Sequence, residues 1–256
     1  MNKLIEVLVC FFAGMGAGLG TGFAGLSAAA VVSPMLITFL GFPAYEAIGI
    51  ALASDVLASA VSAYTYGKNK NIDLKNGIIM LISVLIFTLI GSFVASFVPD
   101  TTMGSFSKFM TLMVGIKFIV KPIVKREQLE KEDDKKNKII KSIISGSLIG
   151  FICGFIGAGG GMMLLLVLTS ILGYDLKTAV GTSVFIMTFT ALTGAISHFA
   201  ISNEEINLFI MFLCIIFTFI WARIGAWWAN KADEKKLNRV TGIVLSLLCV
   251  SMLFFK

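Results

Sequence analysis

Charge is scarce in this chain. Asp, Glu, Lys and Arg make up 14% of its 256 residues, where soluble domains carry about 25%. With a mean hydropathy of +0.92, that deficit excludes a soluble globular domain. Histidine is scarcer still, His198 being the sole one. The four cysteines, Cys10, Cys153, Cys214 and Cys249, fall singly in apolar runs, with no C-x-x-C pair and no Cys/His cluster. Such spacing predicts neither disulfides nor a metal site. One histidine and no grouped nucleophiles leave little from which to build a catalytic centre, so neither an enzyme nor a resident cofactor is expected. The apolar runs are continuous rather than alternating, which excludes a β-barrel. The net charge of +6 lies in short loops, where it sets membrane orientation and does not indicate a nucleic-acid partner.

Apolar runs long enough to cross a bilayer core, about 20 residues each, recur from end to end. They occupy 4–40, 44–66, 74–98, 103–120, 143–173, 176–201, 206–229 and 240–255. The N-terminal run continues past Ala28-Ala29-Ala30 to Leu40 with no polar region following, so it reads as a membrane segment and not as a signal peptide. A mixed-charge linker, 125–141, separates a first membrane unit, 1–124, from a second, 142–256.

The run 143–173 is too long for one perpendicular crossing. It is interrupted by Gly157-Ala158-Gly159-Gly160-Gly161, and glycine costs a helix about 1 kcal/mol per residue relative to alanine. A glycine run inside hydrocarbon predicts a break whose bared backbone faces protein, water or a ligand. The first unit repeats the pattern, with an interruption expected around Gly20-Thr21-Gly22-Phe23-Ala24-Gly25. Gly22-Phe23-Ala24-Gly25 matches Gly154-Phe155-Ile156-Gly157 at an offset of 132, and Gly41, Ala47 and Gly49 match Gly173, Ala179 and Gly181. Lys68, Lys70 and Lys75, the linker, and Lys231, Lys235, Lys236 and Arg239 are assigned to the cytoplasmic side, and Glu204-Glu205 to the outside. Both long runs must then enter and return, from opposite faces. The expected fold is therefore an all-α polytopic membrane protein of two inverted repeats, each a glycine-broken hairpin followed by three transmembrane helices, with the hairpin tips meeting near the midplane.

A helix starting at a glycine break presents free N–H groups and a positive end, which bind anions without a lysine. The substrate-binding set expected on this basis is Gly22, Gly25 and Ser27 in the first unit and Gly157, Gly159, Gly160 and Gly161 in the second. Thr182 and Ser183 on the following helix join it as hydroxyl donors, although such hydroxyls commonly bond their own helix. Their first-unit equivalents, Ile50 and Ala51, cannot donate, so hydroxyl ligation would be one-sided. Asp55 lies mid-helix in the run 44–66 with no Lys or Arg at similar depth. An acid there is a functional candidate, expected to be protonated much of the time or to sit in a wet cavity: it carries a coupling proton or cation, or it is a neutral carboxyl hydrogen-bonded to a neighbouring helix. His198 reads as an interfacial residue near the end of its helix. Cys153 abuts the second tip, either as packing or as a thiol beside a sulfur anion.

These features together resemble the TauE/SafE sulfite-exporter family: the GFxG segment opening each half, Ser33-Pro34-Met35-Leu36 on the first return limb, Ala-x-Gly on the next helix, and Gly181-Thr182-Ser183. The resemblance implies a transporter of a small anion, typically sulfite, a sulfonate or a related organosulfur compound, in the inner or plasma membrane. Alternatives are a proton- or cation-coupled carrier of a cationic or neutral solute bound at Asp55, and a passive anion channel. The partners expected are the small anionic substrate and the lipid bilayer; the oligomeric state stays open, with a homodimer as one candidate.

Overall fold

The computed structural model describes residues 3–98, 135–156, 160–201 and 206–232. The expected spans 103–120 and 240–255, the turn at Glu204-Glu205, the basic residues Lys235, Lys236 and Arg239, most of the charged linker, Cys249 and the tip residues Gly157, Ala158 and Gly159 lie outside the described residues. Among the described residues the regular structure is eight helices: α1 (Lys3–Ala24), α2 (Ala29–Leu40), α3 (Ala44–Lys68), α4 (Leu74–Ala95), α5 (Lys135–Ile156), α6 (Gly160–Ser170), α7 (Leu176–Ile201) and α8 (Leu208–Lys231). Five of them, α1, α3, α4, α7 and α8, are long and apolar enough to cross a membrane. Their outward faces suit lipid. Ile78, Ile82, Ile86, Leu89 and Phe93 are exposed along α4, and Phe212, Ile216, Ile220 and Ile224 along α8, in the three-and-four spacing of one helix face.

Both long apolar runs are broken. α2 has 12 residues and α6 has 11, so at 1.5 Å per residue each reaches only about half of a ~30 Å hydrocarbon core. A glycine with left-handed backbone follows each, Gly41 (φ 69°) directly after α2 and Gly173 (φ 72°) three residues after α6. The next residue closes the same turn in both cases: the Phe42 N–H donates to the Leu36 carbonyl (3.3 Å) and the Tyr174 N–H to the Leu168 carbonyl (2.9 Å). α2 is buried from Ala29 to Leu36, as a short helix at membrane depth has to be.

Two boundaries differ from the sequence expectation. α5 begins at Lys135, inside the stretch read as linker, because isoleucines at 139, 140, 143 and 144 continue the helical period upstream. The first interruption falls at Gly25–Ala28 instead of starting at Gly20. Gly20 to Ala24 remain helical, and the glycines there serve packing, not bending.

That packing is the main feature of the fold. Gly14, Gly18 and Gly22 form a stripe on α1 against Phe217, Thr218, Trp221, Ala222 and Ala226 of α8. Gly146, Gly150 and Gly154, each 132 residues on, form a stripe on α5 against Met80, Ser83, Val84, Thr88 and Ser92 of α4. A Cβ at Gly14 would lie 2.9 Å from the Thr218 nitrogen, and one at Gly150 2.9 Å from the Val84 Cα. Small residues four apart let backbones approach this closely in an apolar medium, where helix association rests on packing contact. In both pairs the residue numbers rise together, so α1 runs parallel to α8 and α5 parallel to α4.

α3 and α7 cross the centre in opposite directions. Gly49 meets His198 and Phe199, Leu52 meets Gly194, and Tyr66 meets Gly181. At one end of the molecule Glu46 Oε1 accepts from the Asn207 N–H (3.2 Å). At the other end Asn71 Nδ2 donates to Asn230 Oδ1 (3.0 Å), and Lys177 Nζ to the Asn230 carbonyl (3.1 Å). The α3–α4 loop, the start of α7 and the end of α8 thus share one face.

Overpacking a close contact costs about 1–3 kcal/mol. Gly18→Leu and Gly150→Leu are each expected to lower the thermal midpoint of the purified protein clearly. Gly67→Ala, whose Cβ would make only ordinary 3.4 Å contact with Ile72, is expected to leave that midpoint in place. Thermal unfolding in detergent followed by circular dichroism checks all three.

Candidate functional site

α1 ends in a turn that fixes the first tip. The Gly25 N–H donates to the Thr21 carbonyl (3.0 Å), the single bond that closes a helix on a left-handed residue, and the Leu26 N–H donates to the Gly20 carbonyl (3.2 Å). Gly25 takes that conformation, φ 60°, which a side chain would strain. Leu26 folds back over Gly20. The chain then turns into α2 through Ser27 and Ala28.

Asp55 projects from the middle of α3 onto that turn and is 1% exposed. Its Oδ2 accepts from Ser27 Oγ (2.7 Å) and its Oδ1 from Ser59 Oγ (2.8 Å). The backbone N–H of Ala28 is a third donor to the carboxylate. Ser27 and Ala28 belong to the turn between α1 and α2, and Ser59 to α3 itself, so the carboxyl is held by the break and by its own helix.

The two tips touch. Gly161, at the start of α6, lies directly against the Gly25 carbonyl, the Ser27 nitrogen and the Met187 sulfur. The contact is level with Asp55 and Met187, near the middles of α3 and α7. Gly160 sits one residue back and faces Cys153 near the end of α5, the other limb of its hairpin, where a Cβ would lie 3.0 Å from Sγ. Ser183 Oγ stands over Gly25 and donates to the Val180 carbonyl of its own helix (2.8 Å).

Other expected site residues are placed elsewhere. Thr182 points to the α3–α4 loop and accepts from the Asp73 N–H (3.0 Å). Gly22 lies in the α1–α8 contact. Gly157 and Gly159 are outside the described residues. His198, read as interfacial, is 1% exposed, because α7 turns it inward against Tyr45 (ring centroids 4.3 Å apart). Its Nε2 lies 3.0 Å from the Gly154 carbonyl. A carbonyl can only accept, so Nε2 carries the hydrogen there.

That bond has a twin. The Tyr66 hydroxyl donates to the Gly22 carbonyl (3.1 Å). Tyr66 and His198 are 132 residues apart, as are Gly22 and Gly154. In both halves a polar ring from the long central helix therefore pins the last glycine of the packing stripe, three residues before the tip. Sequence reasoning missed this pair because tyrosine and histidine do not resemble each other. The repeat offset, applied to His198, would have found it.

Both breaks, both stripes and both pins fall within residues 10–252, the part of the chain that matches the family model for the sulfite exporter TauE/SafE. The chain belongs to the TauE/SafE family. Relatives with the same span are described as probable membrane transporter proteins. MJ0441 of Methanocaldococcus jannaschii is 27% identical over 250 residues, covering 92% of this chain and 88% of its own. YdhB of Bacillus subtilis is 21% identical, covering 98% and 100%, and YunE of the same organism is 24% identical, covering 93% and 91%. No solved structure matches the chain. TauE/SafE membership makes this a membrane transporter. Among the described residues no group of three His, Cys, Asp or Glu could hold a metal ion.

The tip contact predicts a sharp ranking of glycines. Gly161→Ala would push a Cβ into the backbone of the other tip, and uptake into proteoliposomes is expected to fall at least tenfold. Gly160→Ala meets only the Cys153 side chain, Sγ at 3.0 Å and Cβ at 3.2 Å, and is expected to retain most of its uptake. For the pins, His198→Gln preserves an N–H donor, whereas His198→Leu leaves the Gly154 carbonyl with the longer bond from the Ser92 hydroxyl (3.3 Å), at a cost of about 0.5–1.5 kcal/mol. The glutamine variant should be the more heat-stable of the two in the same unfolding assay.

Proposed function

We propose that this TauE/SafE protein is a secondary transporter that carries a small anion by alternating access. It is built as two inverted repeats around the contact of the hairpin tips and works in the cell membrane. The observation that carries the reading is the meeting of Gly161 with Gly25 and Ser27, which brings the starts of two short helices together at mid-depth. Helix starts bared at a break attract negative charge, and binding sites of secondary transporters lie where such broken helices from two repeats converge.

The helix directions support the inverted arrangement. α3 opposes its counterpart α7. α1 runs with α8 and α5 with α4, so the packing of each half on the other is the same when the halves are exchanged. The shared face of Asn71, Lys177 and Asn230 agrees with a cytoplasmic position for both basic loops. Asp55 enters as a held carboxylate and not as a cargo ligand, since Ser27, Ala28 and Ser59 all donate to it. That disfavours a cationic solute bound there. Sulfite, a sulfonate or a related organosulfur anion is the cargo class that the family's name suggests.

Purified protein in liposomes is expected to show saturable uptake of sulfite or of an alkylsulfonate. Linear, unsaturable flux would instead identify a passive channel, and no flux with any small oxyanion would remove the anion reading. Single cysteines at Lys70 and Asn230 should be labelled from the cytoplasmic side, and one at Glu46 from the opposite side. Labelling of all three from one face would reject the inverted topology.

A further inference from the structure

The four cysteines stand singly in the sequence, but the fold brings two of them together. A hydrogen bond joins the thiols of Cys10 on α1 and Cys214 on α8, and both residues are fully buried. They continue the α1–α8 seam by one turn. Cys10 lies four residues before Gly14, and Cys214 four before Thr218, whose nitrogen would be 2.9 Å from a Cβ at Gly14. Each is about 10 Å from the start of its helix at 1.5 Å per residue. The other seam is built differently at the same places. Its stripe corresponds at an offset of 132, and its seats Thr88 and Ser92 correspond to Ala222 and Ala226 at 134. Cys10 thus answers to Ser142, and Cys214 to Met80. The halves differ here as they do at Asp55 and Met187, which are 132 residues apart. A serine and a methionine fill the two places in one seam, so close packing does not itself call for paired thiols in the other. Cys153, by contrast, lies against Gly160.

We infer that Cys10 and Cys214 are an oxidisable dithiol, which a small uncharged two-electron acceptor dissolved in the bilayer, an azo compound or a quinone, closes to a disulfide that fastens the α1–α8 seam. Both thiols are shut off from water, so a charged oxidant does not reach them. With an azo compound the first thiol adds across the N=N bond, its sulfur to one nitrogen and its proton to the other. The second sulfur, already in contact, attacks the first. The S–S bond forms, the S–N bond breaks, and the freed nitrogen takes the second proton. Two thiols have then given up two electrons and two protons, and the azo group has become a hydrazine. A disulfide joins Cα atoms up to about 6.8 Å apart, and a seam whose backbones nearly touch one turn further in provides that approach. The bridge closes a loop of 214 − 10 = 204 residues and ties the first helix of one half to the other half. A cross-link over so long a loop takes much of the freedom of the unfolded chain away, so the oxidised form is the harder one to unfold. This inference is independent of what the protein carries.

The test treats the full-length protein in liposomes with diamide, an uncharged azodicarboxamide. Remaining thiols are then alkylated in denaturant and the peptides mapped by mass spectrometry. The expected product has the Cys10 peptide joined to the Cys214 peptide, with Cys153 and Cys249 alkylated, and dithiothreitol returns all four thiols. The oxidised protein is expected to unfold at least about 5 °C above the reduced one. Cys10→Ser and Cys214→Ser should each lose both the bridge and the shift. Four alkylated thiols in the treated wild-type protein overturn the inference, whether or not the variants fold. A disulfide that pairs other cysteines overturns it too. A Cys10–Cys214 bridge that leaves the midpoint in place overturns the claim that it fastens the seam. The presence or absence of anion uptake bears on the transport reading alone.

Discussion

A polypeptide in an apolar medium has to satisfy its backbone polar groups within itself, and this chain interrupts two of its helices there. Much of the structure follows from that constraint. At Gly25 the end of α1 is closed by its own turn, with Leu26 folded over Gly20. At Ser27 and Ala28 the bared start of α2 is met by Asp55. The Gly22 and Gly154 carbonyls, just upstream of the breaks, are taken by Tyr66 and His198. α2 is sealed from the surroundings by its neighbours. A backbone that is costly to bare in hydrocarbon is thus made tolerable by enclosing it.

Enclosure requires close packing, and small residues provide it. The stripes Gly14/Gly18/Gly22 and Gly146/Gly150/Gly154 bring α1 onto α8 and α5 onto α4 with backbones nearly touching. Gly161 does the same between the tips. That last contact leaves no space for an added Cβ, so the two breaks are held directly against each other.

How much of this was legible in the sequence depended on the kind of signal. Apolar runs, charge scarcity and the glycine interruptions foretold an all-helical membrane chain with two broken runs, and the offset of 132 foretold which residues would correspond. The glycines themselves were ambiguous. Those at 20 and 22 looked like part of a break but lie in a continuous helix, because a glycine that bends a chain and a glycine that admits a neighbour look alike until the neighbour is known. Periodicity could have separated them: glycines four apart describe a helix face, whereas the run Gly159-Gly160-Gly161 does not. The partners of Asp55 and His198 were not legible. Ser27 and Asp55 are 28 residues apart and meet only because α2 doubles back on α3. His198 is near the end of α7 in sequence yet points inward, since its bond to Gly154 depends on where α5 lies. Thr182 was placed at the site by adjacency to Ser183, but consecutive residues on a helix face different ways, and its hydroxyl serves the α3–α4 loop.

The pairing of α1 with α8 and of α4 with α5 has a consequence for ancestry. Each glycine stripe finds its seat on the other half of the molecule, not on its own. A half-length chain could cover that stripe only by embracing a second copy of itself. With the central helices opposed, that copy would have to sit upside down in the bilayer. With the halves inverted as proposed, a gene for one half would have had to insert its product both ways round, and fusing two copies would have fixed that pairing. Once fused, the halves were free to diverge, and Asp55 opposite Met187 is the kind of inequality that two identical subunits could never have held.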